Sequence, residues 1–192
     1  MNQLFQEELL KDETVLWTGQ PEPKVLFTKA DIFLIPFSLL WAGFAIFWEV
    51  TATVMLVTSE VSRGKSPIFF PIFGGFFVLM GLYFVFGRFI YKFYRKKNTY
   101  YAVTNKRVLT LTTLHSRNIK AVYIDAITGI NKSVRPDGIG SITFGTPTPR
   151  SQGYGNTGMD FFTSFYGGDV PIFYDIKDAK KVYELVNDLR KK

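Results

Sequence analysis

The stretch "SPIFFPIFGGFFVLMGLYFVFG", residues 66–87, contains 22 residues and no charged side chain. A helix needs about 20 predominantly apolar residues to cross the hydrocarbon core of a bilayer. An earlier stretch, "IFLIPFSLLWAGFAIFW" at residues 32–48, reaches that length if its helix begins near Ala30 and runs a few residues beyond Trp48. The sequence therefore predicts a transmembrane hairpin of two helices over residues 30–93. Two buried core helices in a soluble protein are the alternative, which such long uncharged runs disfavour.

Glu49 interrupts the apolar character of the first stretch, before "VTATVMLVTS" continues it. A carboxylate inside the bilayer is costly and marks function, whereas one at the end of a span faces water at little cost. The second interpretation is favoured here. Glycines 43, 74, 75 and 81 would allow the two helices to pack closely.

Basic residues flank the hairpin unevenly. The net charge of the chain is +7, and residues 88–97 contain five basic residues and no acid, whereas the loop "EVSRGK" contains two. Because cytoplasmic flanks are enriched in Lys and Arg, both termini are expected in the cytoplasm and the loop near Arg63 outside.

After the hairpin the pattern changes to short β-like runs. They are residues 99–104, 107–114, 119–127, 129–134, 140–145 and 171–176. Leu109 and Leu111 share one face of their run, as do Ile142 and Phe144, and Thr or Ser alternates with them. This two-residue period is typical of half-buried antiparallel strands.

The last element is helical. Four apolar residues lie at i, i+3, i+4 and i+7, which forms one stripe on a helix that would pack on the sheet. Asp178 is a suitable N-cap residue. The stripe consists of Val182, Leu185, Val186 and Leu189.

A further strand is predicted before the hairpin, at "TVLWTGQP", residues 14–21. The N-terminal segment, residues 1–29, has too few apolar residues to form a domain alone, so this strand is expected to pair with the downstream sheet. The hairpin, residues 30–93, would then be an insertion between strands 1 and 2. Residues 94–192 would form a cytoplasmic domain.

The combination of "VLWTGQPEP", two spans, "YYAVTNKRVL", "GSITFG" and "DAKKVYELV" resembles the bacterial membrane proteins with a pleckstrin-homology-like (PH-like) domain. The resemblance covers nearly the whole chain. It implies a PH-like seven-stranded antiparallel barrel or sandwich closed by a C-terminal helix, in a multi-pass protein of the bacterial cytoplasmic (inner) membrane. Members of this family are generally not enzymes, and no catalytic residue can be transferred from them.

Two groups of residues are candidates for contact with the membrane or a lipid. The basic side chains are expected either to bind anionic headgroups or only to signal topology. The aromatic residues lie in a connection of about 25 residues, a length that is uncommon without a function. They would anchor the interface, cover the open end of the sheet, or bind a partner protein. The candidates are Arg88, Lys92, Arg95, Lys96, Lys97, Arg117, Lys120, Phe161, Phe162, Phe165 and Tyr166.

Other chemistries have little support in the sequence. There is no Cys, and His115 is the only histidine, so a usual zinc site is excluded. "GYGNTG", residues 153–158, matches a dinucleotide-binding fingerprint but lacks the strand and helix that such a site needs. No cofactor, metal, catalytic residue or nucleic-acid partner is therefore predicted.

The sequence favours a membrane-anchored binding or scaffold module that engages lipid headgroups or another membrane protein. The alternative is an enzyme or accessory subunit acting on lipid or cell-envelope substrates, with Asp125, Asp137 or His115 in a polar pocket. A small transporter or channel element would require Glu49 to face another helix inside the bilayer.

Overall fold

A computed structural model describes residues 3–58, 69–114, 116–148, 155–159 and 170–191. The chain forms two compact units, one of Met1–Leu26 with Lys92–Lys192 and the other of Phe27–Tyr91. We refer to the first as the β unit and to the second as the hairpin unit.

Among the described residues, the β unit contains seven antiparallel strands in two sheets. The first sheet has the order β1-β2-β3-β4 and the second the order β5-β6-β7. The pairing of β1 with β2 confirms that the strand before the hairpin joins the downstream sheet. Neither sheet closes into a barrel among the described residues. The strands are β1 (Val15–Gly19), β2 (Thr99–Thr104), β3 (Arg107–Thr112), β4 (Asn118–Tyr123), β5 (Ile130–Val134), β6 (Gly140–Phe144) and β7 (Ile172–Ile176).

Four strands, β1, β3, β4 and β6, end earlier than the runs predicted from the sequence. β4 stops at Tyr123, because the amides of Ala126 and Ile127 bond to carbonyls three residues earlier and form turns. An i to i+3 bond replaces the ladder bond that a longer strand would need.

Aromatic rings fill the main core of the β unit. Tyr101 stacks on Phe173 with ring centroids 4.4 Å apart, and Phe144 meets the same ring edge-on at 4.9 Å. A helix near the C-terminus, which we label α5 (Ala179–Arg190), covers this core with the fully buried Val182 and Val186. The predicted apolar stripe is thus confirmed.

Asp178 occupies the N-cap position of α5, but its side chain makes no capping hydrogen bond. Its carboxylate instead lies 3.5 Å from Nζ of Lys181. Both side chains are largely exposed, so this pair contributes little to stability.

The helices that precede α5 are a short α1 (Gln3–Gln6), then α2 (Asp31–Thr58), α3 (Phe69–Leu82) and α4 (Arg88–Lys97). A single π-helical segment, Tyr83–Gly87, connects α3 to α4, so that residues 69–97 form one helix. α2 is longer than expected, since it continues through Glu49 to Thr58. The hydroxyls of Thr51 and Thr58 donate to carbonyls four residues earlier, which satisfies them without water.

Both long helices have the length and composition needed to cross a membrane. In the most apolar 18 residues of each helix, 22% are buried within the chain for residues 31–58 and 11% for residues 69–97. The core helix of a soluble protein would be mostly buried. Where α2 and α3 do touch, small residues face each other. A Cβ on Gly81 would lie 3.0 Å from Cα of Ala42, so only glycine allows this approach.

Candidate functional site

A buried polar cluster surrounds Lys96 in the β unit. Its Nζ donates to Oδ2 of Asp175 at 2.5 Å, to the carbonyl of Val25 at 2.6 Å and to that of Glu22 at 3.3 Å. The Lys96 side chain is only 5% exposed. Since an ammonium group has three N–H donors, all three have an acceptor here. Nδ2 of Asn156 donates to the same Asp175 oxygen at 2.6 Å.

Two residues of this cluster have a left-handed backbone. Asp175 has φ +50° and Asn156 has φ +60°. Asp and Asn tolerate this region better than other non-glycine residues, but at some cost, and such positions concentrate at functional sites. The Asp175 backbone is bonded on both sides, because its amide donates to Oγ of Ser141 and its carbonyl accepts from the amide of Glu22.

Lys92 lies one helical turn before Lys96 on the same face of α4. Its Nζ donates to the carbonyl of Leu26 at 2.6 Å. The two lysines thus fasten residues 22–26, which precede the hairpin, to the segment that follows it. We call Lys92, Lys96 and the three carbonyls that they bind the lysine clasp.

The lysine clasp changes the expected role of two basic residues. Lys92 and Lys96 are 2% and 4% exposed, and their ammonium groups bind backbone carbonyls. Both ammonium groups are thus directed to groups of the chain itself, whereas the sequence analysis proposed them as headgroup contacts. Arg88 is also buried, with 1% of its surface exposed, and it pairs with Asp31.

The remaining basic candidates are more accessible. Lys97 and Lys120 are exposed, and Arg95 is half-buried. Arg117 is exposed but bonds to Glu7 and Glu8. The four aromatic candidates Phe161, Phe162, Phe165 and Tyr166, together with His115, lie outside the described residues.

Arg88 forms an ion pair with Asp31 inside the hairpin unit. Asp31 also accepts hydrogen bonds from the amide of Thr28 at 2.5 Å and from its hydroxyl at 2.8 Å, an arrangement that caps the start of α2. Nε of Arg88 donates to the carbonyl of Phe84 in the π-helical segment at 2.8 Å. The sequence analysis did not single out Asp31, although its place as the acid that begins an apolar run was a usable signal.

The sequence analysis favoured Glu49 at the end of a span, and the structure places it within α2, nine residues before the end of that helix at Thr58. Its Oε2 is buried, has no hydrogen-bond partner among the described residues, and lies where a Cβ on Gly74 of α3 would be. Nε1 of Trp41 is also buried and lacks a partner in the described part of the chain. A carboxylate therefore lies against the neighbouring helix.

Residues 3–13, the first described part of the N-terminal segment, cover the outer face of the first sheet. Phe5 is 0% exposed and packs on Ala102, Leu109 and Leu111. Burying one such ring contributes about 1.5–3 kcal/mol.

Glu13 fixes the far end of this segment with a two-pronged ion pair. Its two carboxylate oxygens accept from Nε and Nη2 of Arg107 at 3.1 and 2.7 Å, and Oε1 also accepts from the hydroxyl of Thr104 at 2.6 Å. Burial by itself would raise the pKa of Glu13, but the hydrogen bonds from Arg107 and Thr104 lower it to about 2. The group is therefore ionised throughout the physiological range.

The described residues contain no group of three or more His, Asp or Glu side chains placed to hold a metal ion. Comparisons with protein-family models, with curated proteins and with solved structures find no match. The resemblance to membrane proteins with a PH-like domain therefore stays a prediction.

Proposed function

We propose that this chain is a membrane-anchored binding or scaffold module, with the β unit on the cytoplasmic side of a bacterial inner membrane. The two apolar helices and their exposed surface support the anchor. Four strands followed by three strands and a C-terminal helix support a PH-like origin of the β unit.

The lysine clasp is the observation that carries this proposal. It joins residues 22–26 to α4 through three carbonyls, and Lys96 also binds the carboxylate of Asp175 in β7. The lysine clasp therefore joins the segment before the hairpin to the segment after it. A module that is anchored by two spans does not need tight lipid binding to remain at the membrane. Its exposed surface is then available to a second protein.

Most of the candidate basic residues bind other groups of the chain, which favours a membrane-protein partner over lipid headgroups. Arg88, Lys92 and Lys96 bind other groups of the chain, and Arg117 is paired with acids. Lys97 and Lys120 are the exposed members of the basic set that have no ion pair among the described residues. Two basic residues would contribute only about 2 kcal/mol of attraction to an anionic surface.

Site-specific photo-crosslinking in native membranes tests the proposal. A photoreactive residue at Lys97 or Lys120 should form adducts with a defined membrane protein, whereas one at Lys180, an exposed residue of α5, serves as the control. Adducts with lipid alone would support the headgroup version. If both positions give the same adducts as Lys180, the proposed surface is rejected.

The orientation has a separate test. A cysteine in place of Arg63 should react with an impermeant thiol reagent added to intact cells, whereas one in place of Asn118 should react only after lysis. The chain has no native Cys, so the background is clean. Labelling in the reverse pattern would overturn the proposed topology.

The alternative of an enzyme or accessory subunit requires carboxylates that converge on a pocket. Asp137 is exposed and pairs with Arg135 at 2.8 Å, and its other oxygen accepts from the amide of Ile139 at 3.1 Å. Asp125 is also exposed. Both carboxylates lie in exposed turns, so this alternative gains no support from the described residues.

One observation favours a second candidate function, a transporter or channel element, because Glu49 faces α3. Proton flux into liposomes that contain the purified protein would test it. Flux that Glu49→Gln abolishes would support transport. Equal proton flux into liposomes with the wild-type protein, with Glu49→Gln and with no protein would reject it.

A further inference from the structure

The central strands of the first sheet are apolar on both faces. Tyr101 and Val108 point into the main core of the β unit. Ala102, Leu109 and Leu111 occupy the opposite face and are at most 1% exposed. An antiparallel sheet with one solvated face would carry polar residues there. This outer face is therefore built to be covered.

The N-terminal segment supplies that cover with one aromatic ring. Phe5 is completely buried against the groove formed by Ala102, Leu109 and Leu111, with Tyr100 and Ile119 packed at its sides. We call these five residues the sheet groove.

A basic rim matches the acidic residues that follow Phe5. Nη1 of Arg117 lies 2.9 Å from Glu7, and its Nη2 lies 3.2 Å from Glu8. Nη2 of Arg107 donates to the carbonyl of Glu8 at 2.8 Å. The segment that occupies the groove thus presents an aromatic anchor followed by carboxylates.

The covering segment is weakly held. α1 has only four residues, and a helix of that length is not stable by itself. Arg117 and Glu7 are 43% and 76% exposed, so their ion pair contributes little. Within residues 3–9, one buried ring and the polar contacts of Arg107 and Arg117 oppose the entropy of ordering the segment. Such a segment is readily exchanged for another with the same chemistry.

We propose that the sheet groove is a docking site for a short acidic, aromatic-anchored segment of a partner protein. The chain's own residues 3–9 occupy it in cis until the partner displaces them. Charge complementarity with Arg117 selects acidic segments, and the depth of the Phe5 pocket selects an aromatic anchor.

A labelled peptide of residues 1–11 is the probe, and binding is measured by fluorescence anisotropy with the full chain in mild detergent. Phe5→Ser empties the groove in cis, so this variant should bind the peptide at least tenfold more tightly than the wild-type chain. A peptide with Phe5→Ala should bind the variant at least tenfold more weakly. Equal binding of both peptides, or no binding of either, would overturn the proposal.

Hydrogen exchange on the unmodified chain provides a second measurement that does not depend on a variant. The amides of Glu8 and Leu9, which bond to Phe5 and Gln6 within the segment, should exchange at least tenfold faster than those of β3, and faster still with excess peptide. Protection equal to that of β3 would overturn the proposal. Concentration-dependent dimerisation that Phe5→Ser abolishes would also do so, because a second copy would then be the occupant.

The docking proposal rests on the proposed binding function in one respect, which is that a natural partner protein exists. The peptide assay reads the sheet groove itself, whereas crosslinking reads the surface at Lys97 and Lys120. A failed peptide assay thus leaves the crosslinking result standing, and the reverse also holds.

Discussion

Lys96→Met removes the ammonium group from the buried cluster and keeps a similar side-chain length. Asp175 then loses its counterion, and the carbonyls of Val25 and Glu22 lose their donor. Removing one partner of a buried ion pair costs about 3–5 kcal/mol. Asp175 keeps its bond from Asn156 and is 12% exposed, so we expect the lower end of that range, about 3 kcal/mol.

Urea unfolding of the full chain in mild detergent measures this loss. Trp17 stacks on Phe173, so its fluorescence reports on the core beside the cluster. Trp41 and Trp48 are replaced by Phe to remove the signal of the hairpin unit. With a slope of about 1.5 kcal/mol per molar urea, a loss of 3 kcal/mol lowers the midpoint by about 2 M.

Lys97→Met is the matched control, because Lys97 is exposed and its ammonium group lies over the ring of Phe93. Its loss should cost less than about 1 kcal/mol. Combining Lys96→Met with Asp175→Asn should recover part of the stability, because no uncompensated charge remains and Asn tolerates the backbone there. Equal losses from Lys96→Met and Lys97→Met, or exact additivity in the double variant, would refute the reasoning.

Two further predictions concern other contacts. Because the pKa of Glu13 is about 2 in the folded chain and 4.5 for an unperturbed glutamate, its ion pair with Arg107 stabilises the fold above about pH 4.5, and this contribution is lost as the pH falls toward 2. The difference in unfolding free energy between wild type and Glu13→Gln, roughly 3 kcal/mol at pH 6, should therefore shrink between pH 5 and 2.5; a constant difference would contradict the assignment. In the hairpin unit, Gly81→Leu should cost about 1–3 kcal/mol by forcing Ala42 away, while Gly75→Leu, with open space at its Cβ, should be neutral. Thermal unfolding in detergent compares the two, and equal melting temperatures would show that the close approach is not needed.

The elements of this fold follow from local patterns in the sequence. A 22-residue run without charge is sufficient for a long apolar helix, and the stripe around Val182 and Val186 is sufficient for α5. Both patterns depend on residues that are close along the chain, so they can be read without knowing the fold. The pairing of β1 with the downstream sheet followed from composition, since the segment around it was too polar to fold alone.

Only the tertiary structure decided which face and which partner each residue has. The alternation at Leu109 and Leu111 showed that the two faces of β3 differ, yet these residues pack on Phe5, and Val108 on the main core. The run at residues 88–97 showed a concentration of positive charge, yet Lys96 uses its charge on groups 71, 74 and 79 residues away in the chain. A local pattern specifies the chemistry of a side chain, whereas its acceptor is set by how distant segments pack, because the burial that makes the contact strong exists only after folding.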